Sequence, residues 1–85
     1  MRFRFLWDYE SEIGNVDHIA EHGLTTDDVE SAFEDIQKHT TSRSSGRPAI
    51  WGVTDDGRMI FVAYEVIDKD ENLIYVHTAF EKESD

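Results

Sequence analysis

Between Arg47 and Phe80 three short apolar runs are divided by Asp55-Asp56-Gly57 and by Asp68-Lys69-Asp70-Glu71-Asn72. Gly, Asp and Asn tolerate turn conformations that β-branched residues resist, so the pattern predicts three consecutive strands of an antiparallel meander. Few folds accept such a meander at the end of a short chain. What precedes it decides among them.

Arg2 to Trp7 alternates, with Phe3, Phe5 and Trp7 on one side and Arg2, Arg4 and Leu6 on the other, which predicts a first strand. Asn15 to His22 carries Val16, Ile19 and Ala20 at helical spacing, and Gly23 follows as a left-handed cap. Thr25 can cap a second helix, with Asp27 and Asp28 in its first turn where the helix dipole favours negative charge. Val29, Ala32, Phe33 and Ile36 then fall on one stripe. Lys38 to Gly46 is polar and reads as a mobile loop. The expected class is α+β: a short first strand, two helices, then a three-stranded antiparallel meander, with the helices packed on one sheet face. The strand from Met59 to Ile67 is apolar on both faces as far as Ala63, which suits a central position.

Eighty-five residues suffice for one core, so residues 1–85 read as a single domain. Cysteine is absent, which excludes disulfides and thiolate metal sites and suits a reducing cytoplasm. No apolar run reaches the roughly 20 residues that cross a bilayer, and MRFRFLWD is too short and too soon charged for a signal peptide. The expectation is a cytoplasmic protein without a membrane partner.

Net charge is −11, unevenly spread. Residues 1–38 hold ten acids and three bases, residues 68–85 six acids and two bases, and residues 39–67 are balanced. A field of this sign disfavours RNA, because phosphate binding needs Lys and Arg to replace condensed counterions.

Register arguments gather the candidate site. A three-residue loop at Asp55-Asp56-Gly57 closing in a Gly bulge sets Trp51 opposite Phe61, and a five-residue turn after Ile67 sets Glu65 opposite Tyr75 and Ala63 opposite His77. One face then carries Ile50, Ile60, Val62, Tyr64, Val66, Ile74, Val76 and Phe80 as the floor for the helices. The other carries Trp51, Met59, Phe61, Glu65, Tyr75 and His77. A two-residue turn at Asp56-Gly57 would instead reverse the faces of the first of these strands.

Taken in order, these residues resemble the BrnT group of bacterial toxins within the RelE/ParE superfamily. The matching positions are Trp7-Asp8, Asn15, His22-Gly23, Asp27-Asp28, Phe33, Gly52 and Gly57-Arg58. The resemblance implies a RelE-like fold, with two helices on one face of a mainly antiparallel sheet. It also implies a toxin-antitoxin setting, in which active members cleave RNA without metal using Arg, Lys, His, Tyr or Glu on the sheet surface that the antitoxin covers. The chain departs from the family in three ways. The helix before His22 is about one turn longer, Thr78-Ala79-Phe80-Glu81 stands where BrnT proteins usually carry an Arg, and the basic C-terminal helix has no counterpart.

For a ribonuclease, Arg47 and Arg58 would grip phosphate, with Arg43 nearby, while His77 and Glu65 would serve as acid and base. As a structural set the arginines would neutralise Asp55, Asp56 and the acidic helices, which the charge balance favours. Trp51, Tyr75 and Phe61 would anchor a partner: an antitoxin-like protein or a second copy of the chain. His18 and His22 share a helical face, but a closed metal site needs further ligands, so no metal or cofactor is expected. The leading expectation is a non-catalytic interaction module; the alternative is a metal-independent endoribonuclease.

Overall fold

A computed structural model describes residues 2–9 and 14–83. Its elements are β1 (Arg4–Leu6), α1 (Asn15–Ala20), α2 (Thr26–Phe33), β2 (Ile36–Thr41), β3 (Pro48–Val53), β4 (Met59–Asp68) and β5 (Leu73–Glu81). The last two residues of the acidic tail, 84–85, lie outside the described residues.

The chain is α+β, with two helices and one mixed five-stranded sheet in the order β1-β5-β4-β3-β2. β1 runs parallel to β5, and every other neighbour is antiparallel. β4 is central, as its two-sided apolar run requires. No helix among the described residues is long and apolar enough to cross a membrane.

The helices form where the caps direct them. Thr25 accepts a hydrogen bond from the Asp28 amide and Asp28 accepts one from the Thr25 amide, so two otherwise unpaired donors are satisfied together. Gly23 takes φ +76°, and the helix before it stops at Ala20, two residues short of His22. Asn15, almost wholly buried, donates to the Leu6 carbonyl at 2.9 Å and accepts from the Asp8 amide at 2.8 Å. It therefore ties the end of β1 to the start of α1.

Ile19 and Leu24 join Val29, Ala32 and Phe33 of α2 against Ile50, Ile60, Val62, Tyr64, Ile74, Val76 and Ala79 of the sheet. Phe3, Phe5, Trp7 and Ile36 are only partly buried at the margin. Ala32 packs on β3 so closely that a Cβ on Gly52 would stand 2.3 Å from the Ala32 carbonyl oxygen. Three further links fix α2 and the turn after it: Val53 N–H to Asp35 O and Asp55 N–H to Ser31 Oγ, both 3.1 Å, and Arg58 Nη2 to Asp28 Oδ1 at 2.9 Å.

Four expectations need correction. The polar run from Lys38 is not loop as far as Thr41: Ile36–Thr41 is edge strand β2, so four strands rather than three run antiparallel. An edge strand pairs through backbone on one side only, and polar residues with Lys are usual there, so it shows no apolar alternation. Ile36 accordingly begins β2 instead of ending the α2 stripe.

The other two corrections come from bulges between β4 and β5. Glu65 does pair with Tyr75, but Ala63 pairs with Thr78, leaving His77 as an extra residue. Parity along β5 reverses there: Ile74 and Val76 face the helices, then Ala79 does, and Phe80 turns to the opposite face, 38 % exposed. A second irregularity pairs Leu73 with Asp68 rather than Ile67; Val66, before it, keeps its pairing with Ile74 and yet is 48 % exposed instead of buried. At the other hairpin the expected geometry holds. Trp51 pairs with Phe61, the Thr54 amide donates to Arg58 O at 2.8 Å, and Gly57 takes φ +87°.

Candidate functional site

The sheet face away from the helices is open, and the register lays it out in rows. Lys38, Trp51, Phe61 and Phe80 form one row across β2, β3, β4 and β5. Thr40, Ala49, Ala63 and Thr78 form the next. Beyond that shallow alanine floor come Glu65, Tyr75 and Leu6, with the bulged His77 beside them.

The first row is aromatic. Phe61 and Phe80 stack with centroids 5.0 Å apart, and Trp51 meets Phe61 at 5.1 Å and Phe80 at 6.2 Å, edge to face. An open groove of about 360 Å³ on one flank of Trp51 is lined by Gln37, Lys38, Met59 and Lys82. Another of about 470 Å³ is lined by residues 40–44, including Arg43, with Phe61 and Phe80. Neither groove is lined by a carboxylate, in a chain with 19 acidic residues. A third depression on the Phe80 side does carry Glu81 and Glu83, with His22. Trp51 and Phe61 are thus brought together, but Tyr75 stands level with Glu65, four residues and roughly 13 Å along β4.

The expected catalytic residues divide into separate groups. His77 Nε2 lies 2.9 Å from Glu65 Oε1, with the Tyr75 ring 5.0 Å from the imidazole. Arg47, exposed, closes the β2–β3 loop, where its carbonyl accepts from Ser42 N–H at 2.8 Å. Continuing the β3–β4 register two positions past Ala49 and Ala63 sets Arg47 level with Glu65. Arg58 is elsewhere. Both arginines precede strands, but antiparallel neighbours begin at opposite ends, so Arg58 is seven residues from Glu65, about 23 Å along β4.

Arg58 also points to the other face, where carboxylates occupy it. Its Nε lies 2.9 Å from Asp56 Oδ2, its Nη2 2.9 Å from Asp28 of α2, and its Nη1 3.8 Å from Glu81. The hydrogen bonds to Asp56 and then to Asp28 raise its pKa above the ordinary guanidinium value. Asp56 in turn is held below the usual carboxylate value, first by the Thr54 hydroxyl and then by Arg58. The Tyr64 hydroxyl is raised by burial against the helices. His18 and His22 have ring centroids 5.8 Å apart, and no three His, Cys, Asp or Glu converge in a metal-binding group among the described residues.

Three residues of this face, Phe80, Lys38 and Lys82, carry no local signal of their place. The alternation of β5 places Phe80 in the core, because the bulge that turns it has no local signature. Lys38 reads as loop in the sequence, and nothing local to Lys82 points to Trp51 or Met59 as its neighbours. Only the polar, lysine-bearing character of 37–41 hinted at an edge strand there.

Fold and site together define an α+β domain with one sheet face covered by helices and the other bearing a basic-rimmed aromatic patch. No protein-family model, curated protein or experimentally determined structure matches the chain.

Proposed function

We propose that the chain is a non-catalytic protein-interaction module on a scaffold like that of the BrnT toxins of the RelE/ParE superfamily, with its open sheet face as the binding surface. The observation that carries this reading is the row Trp51, Phe61 and Phe80, large apolar side chains gathered on the sheet face opposite the two described helices. Rigid aromatic anchors of this kind dominate protein interfaces. The order of strand, two helices and antiparallel strands, with both helices on one face, supports the scaffold. The setting it suggests is a bacterial cytoplasmic complex with an antitoxin-like protein or a second copy of the chain.

The separation of Arg58 from His77 and Glu65 weighs against catalysis, because one phosphate cannot be reached from both. The ribonuclease reading keeps one specific support, the His77–Glu65 pair beside Tyr75, with Arg47 level with it. Purified protein incubated with RNA separates the two. A binding module leaves RNA intact and binds it weakly, with a shallow salt dependence, and Trp51→Ala weakens its association with a protein partner by a few kcal/mol. Metal-independent cleavage that falls at least about tenfold in both His77→Ala and Arg47→Ala would overturn the module reading.

A further inference from the structure

We propose that the patch around Trp51 receives an extended acidic peptide segment carrying one apolar anchor residue; this rests on the interaction-module reading and names the chemistry of the partner. The argument is the segregation of charge. Acids outnumber bases 19 to 8 in the chain, yet two grooves that Trp51 lines carry Lys38, Lys82 and Arg43 and no Asp or Glu, and the carboxylates Glu81 and Glu83 are confined to a third depression beside Phe80. Against that background, the flanks of Trp51 that carry Lys38, Lys82 and Arg43, and no carboxylate, complement carboxylates and disfavour basic segments.

The geometry sets the length. Lys38 and Arg43 are five residues apart, at most roughly 16 Å at strand rise because the chain turns after Thr41, with Trp51 beside Lys38 in the neighbouring strand. An extended peptide covers that distance in about five residues. Its carboxylates would meet the basic groups at each end while an apolar side chain sits against Trp51, Phe61 and Phe80.

RNA shares the need for cations but fits less well. Phe61 and Phe80 stack on each other, which takes one face of each ring away from bases. Glu81 and Glu83 border the patch beside Phe80 and oppose a long polyanion that crosses it, so a short peptide is placed on the carboxylate-free flanks of Trp51 instead.

The test is a nuclear magnetic resonance titration of the full chain with three probes. They are a seven-residue peptide with a central leucine and two glutamates at each end, the same peptide with lysines for glutamates, and oligouridylate. The acidic peptide should shift the amides of Trp51, Phe61 and Phe80 and the Trp51 indole. The Trp7 indole, which donates to Glu30 at 2.7 Å, should stay in place. The pair Lys38→Glu and Lys82→Glu should lower the affinity about tenfold, and Lys69→Glu, in the distant β4–β5 turn, should leave it unchanged. Should the double variant fold poorly, raising the salt tenfold on the parent chain must weaken binding instead. If the lysine peptide shifts the same residues, the acidic chemistry is overturned while the binding surface stands. Shifts there with oligouridylate alone overturn it in favour of RNA. If no probe moves these residues, both this inference and the surface itself are wrong.

Discussion

Gly52→Ala is the perturbation whose cost can be worked most directly from the structure. The added Cβ would stand 2.3 Å from Ala32 O and 2.9 Å from Ala32 C, both backbone atoms, so no side chain can swing aside. Relief to an ordinary contact requires α2 and β3 to part by roughly 1 Å, which forfeits a quarter to a half of the dispersion energy across that seam. The same displacement stretches the 3.1 Å bonds Val53 N–H to Asp35 O and Asp55 N–H to Ser31 Oγ beyond useful length. Overpacking costs about 1 to 3 kcal/mol and each weakened hydrogen bond about 1, while replacing a strand glycine returns about 0.5 to 1. The net loss is about 2 to 4 kcal/mol, a fall of roughly 10 to 25 °C in the thermal midpoint of a domain this small. Gly46→Ala is the comparison: nothing lies within 4 Å of its Cβ, so it carries only the strain of φ +73°, about 1 kcal/mol, and the cost should be smaller. Circular dichroism melts of the two variants and the parent decide the matter. A Gly52→Ala midpoint within about 2 °C of the parent, or a larger loss for Gly46→Ala, would refute the close approach of α2 to β3.

Three more expectations follow from buried or tied groups. Phe33→Ala removes the ring that meets Phe3, Phe5 and Tyr64 edge to face at 5.0 to 5.4 Å, and should cost about 3 to 5 kcal/mol in denaturant unfolding; an unchanged midpoint removes Phe33 from the core. Asn15→Ala strands the Leu6 carbonyl and the Asp8 amide, and should lose about 2 to 3 kcal/mol; a cost below about 0.5 would mean that water replaces the clip. Asp56 titrates below its ordinary 3.8 in the folded chain, so its contribution to stability is complete above that value and lost as pH falls through the lower folded one. A carboxyl titration followed by nuclear magnetic resonance should show that low midpoint rising in Arg58→Gln, and a midpoint of 3.8 or higher in the parent contradicts the Thr54 and Arg58 hydrogen bonds.

Much of the fold was legible because its signals are local. The Thr25 cap, the Gly23 stop, the Gly57 bulge and the alternation in β1, β3 and β4 each depend on a few neighbouring residues whose φ preference or side-chain period allows one solution. The same locality made the Trp51–Phe61 pair readable, and with it half of the aromatic patch. Whatever depended on pairing partners was not. Edge strand β2 takes its structure from the β3 backbone, so its own side chains carry little trace of it. The bulge at His77 arises from the fit of β5 against β4, and that one residue moves Phe80 from the core to the open face and completes the patch. Arg47 and Arg58 look equivalent in sequence, each just before a strand, and antiparallel pairing sends them to opposite ends of the sheet. Composition determined that the chain is acidic; the fold decided that Lys38, Arg43 and Lys82 would gather around Trp51, because residues far apart in the chain share a face only once strand order and register are set.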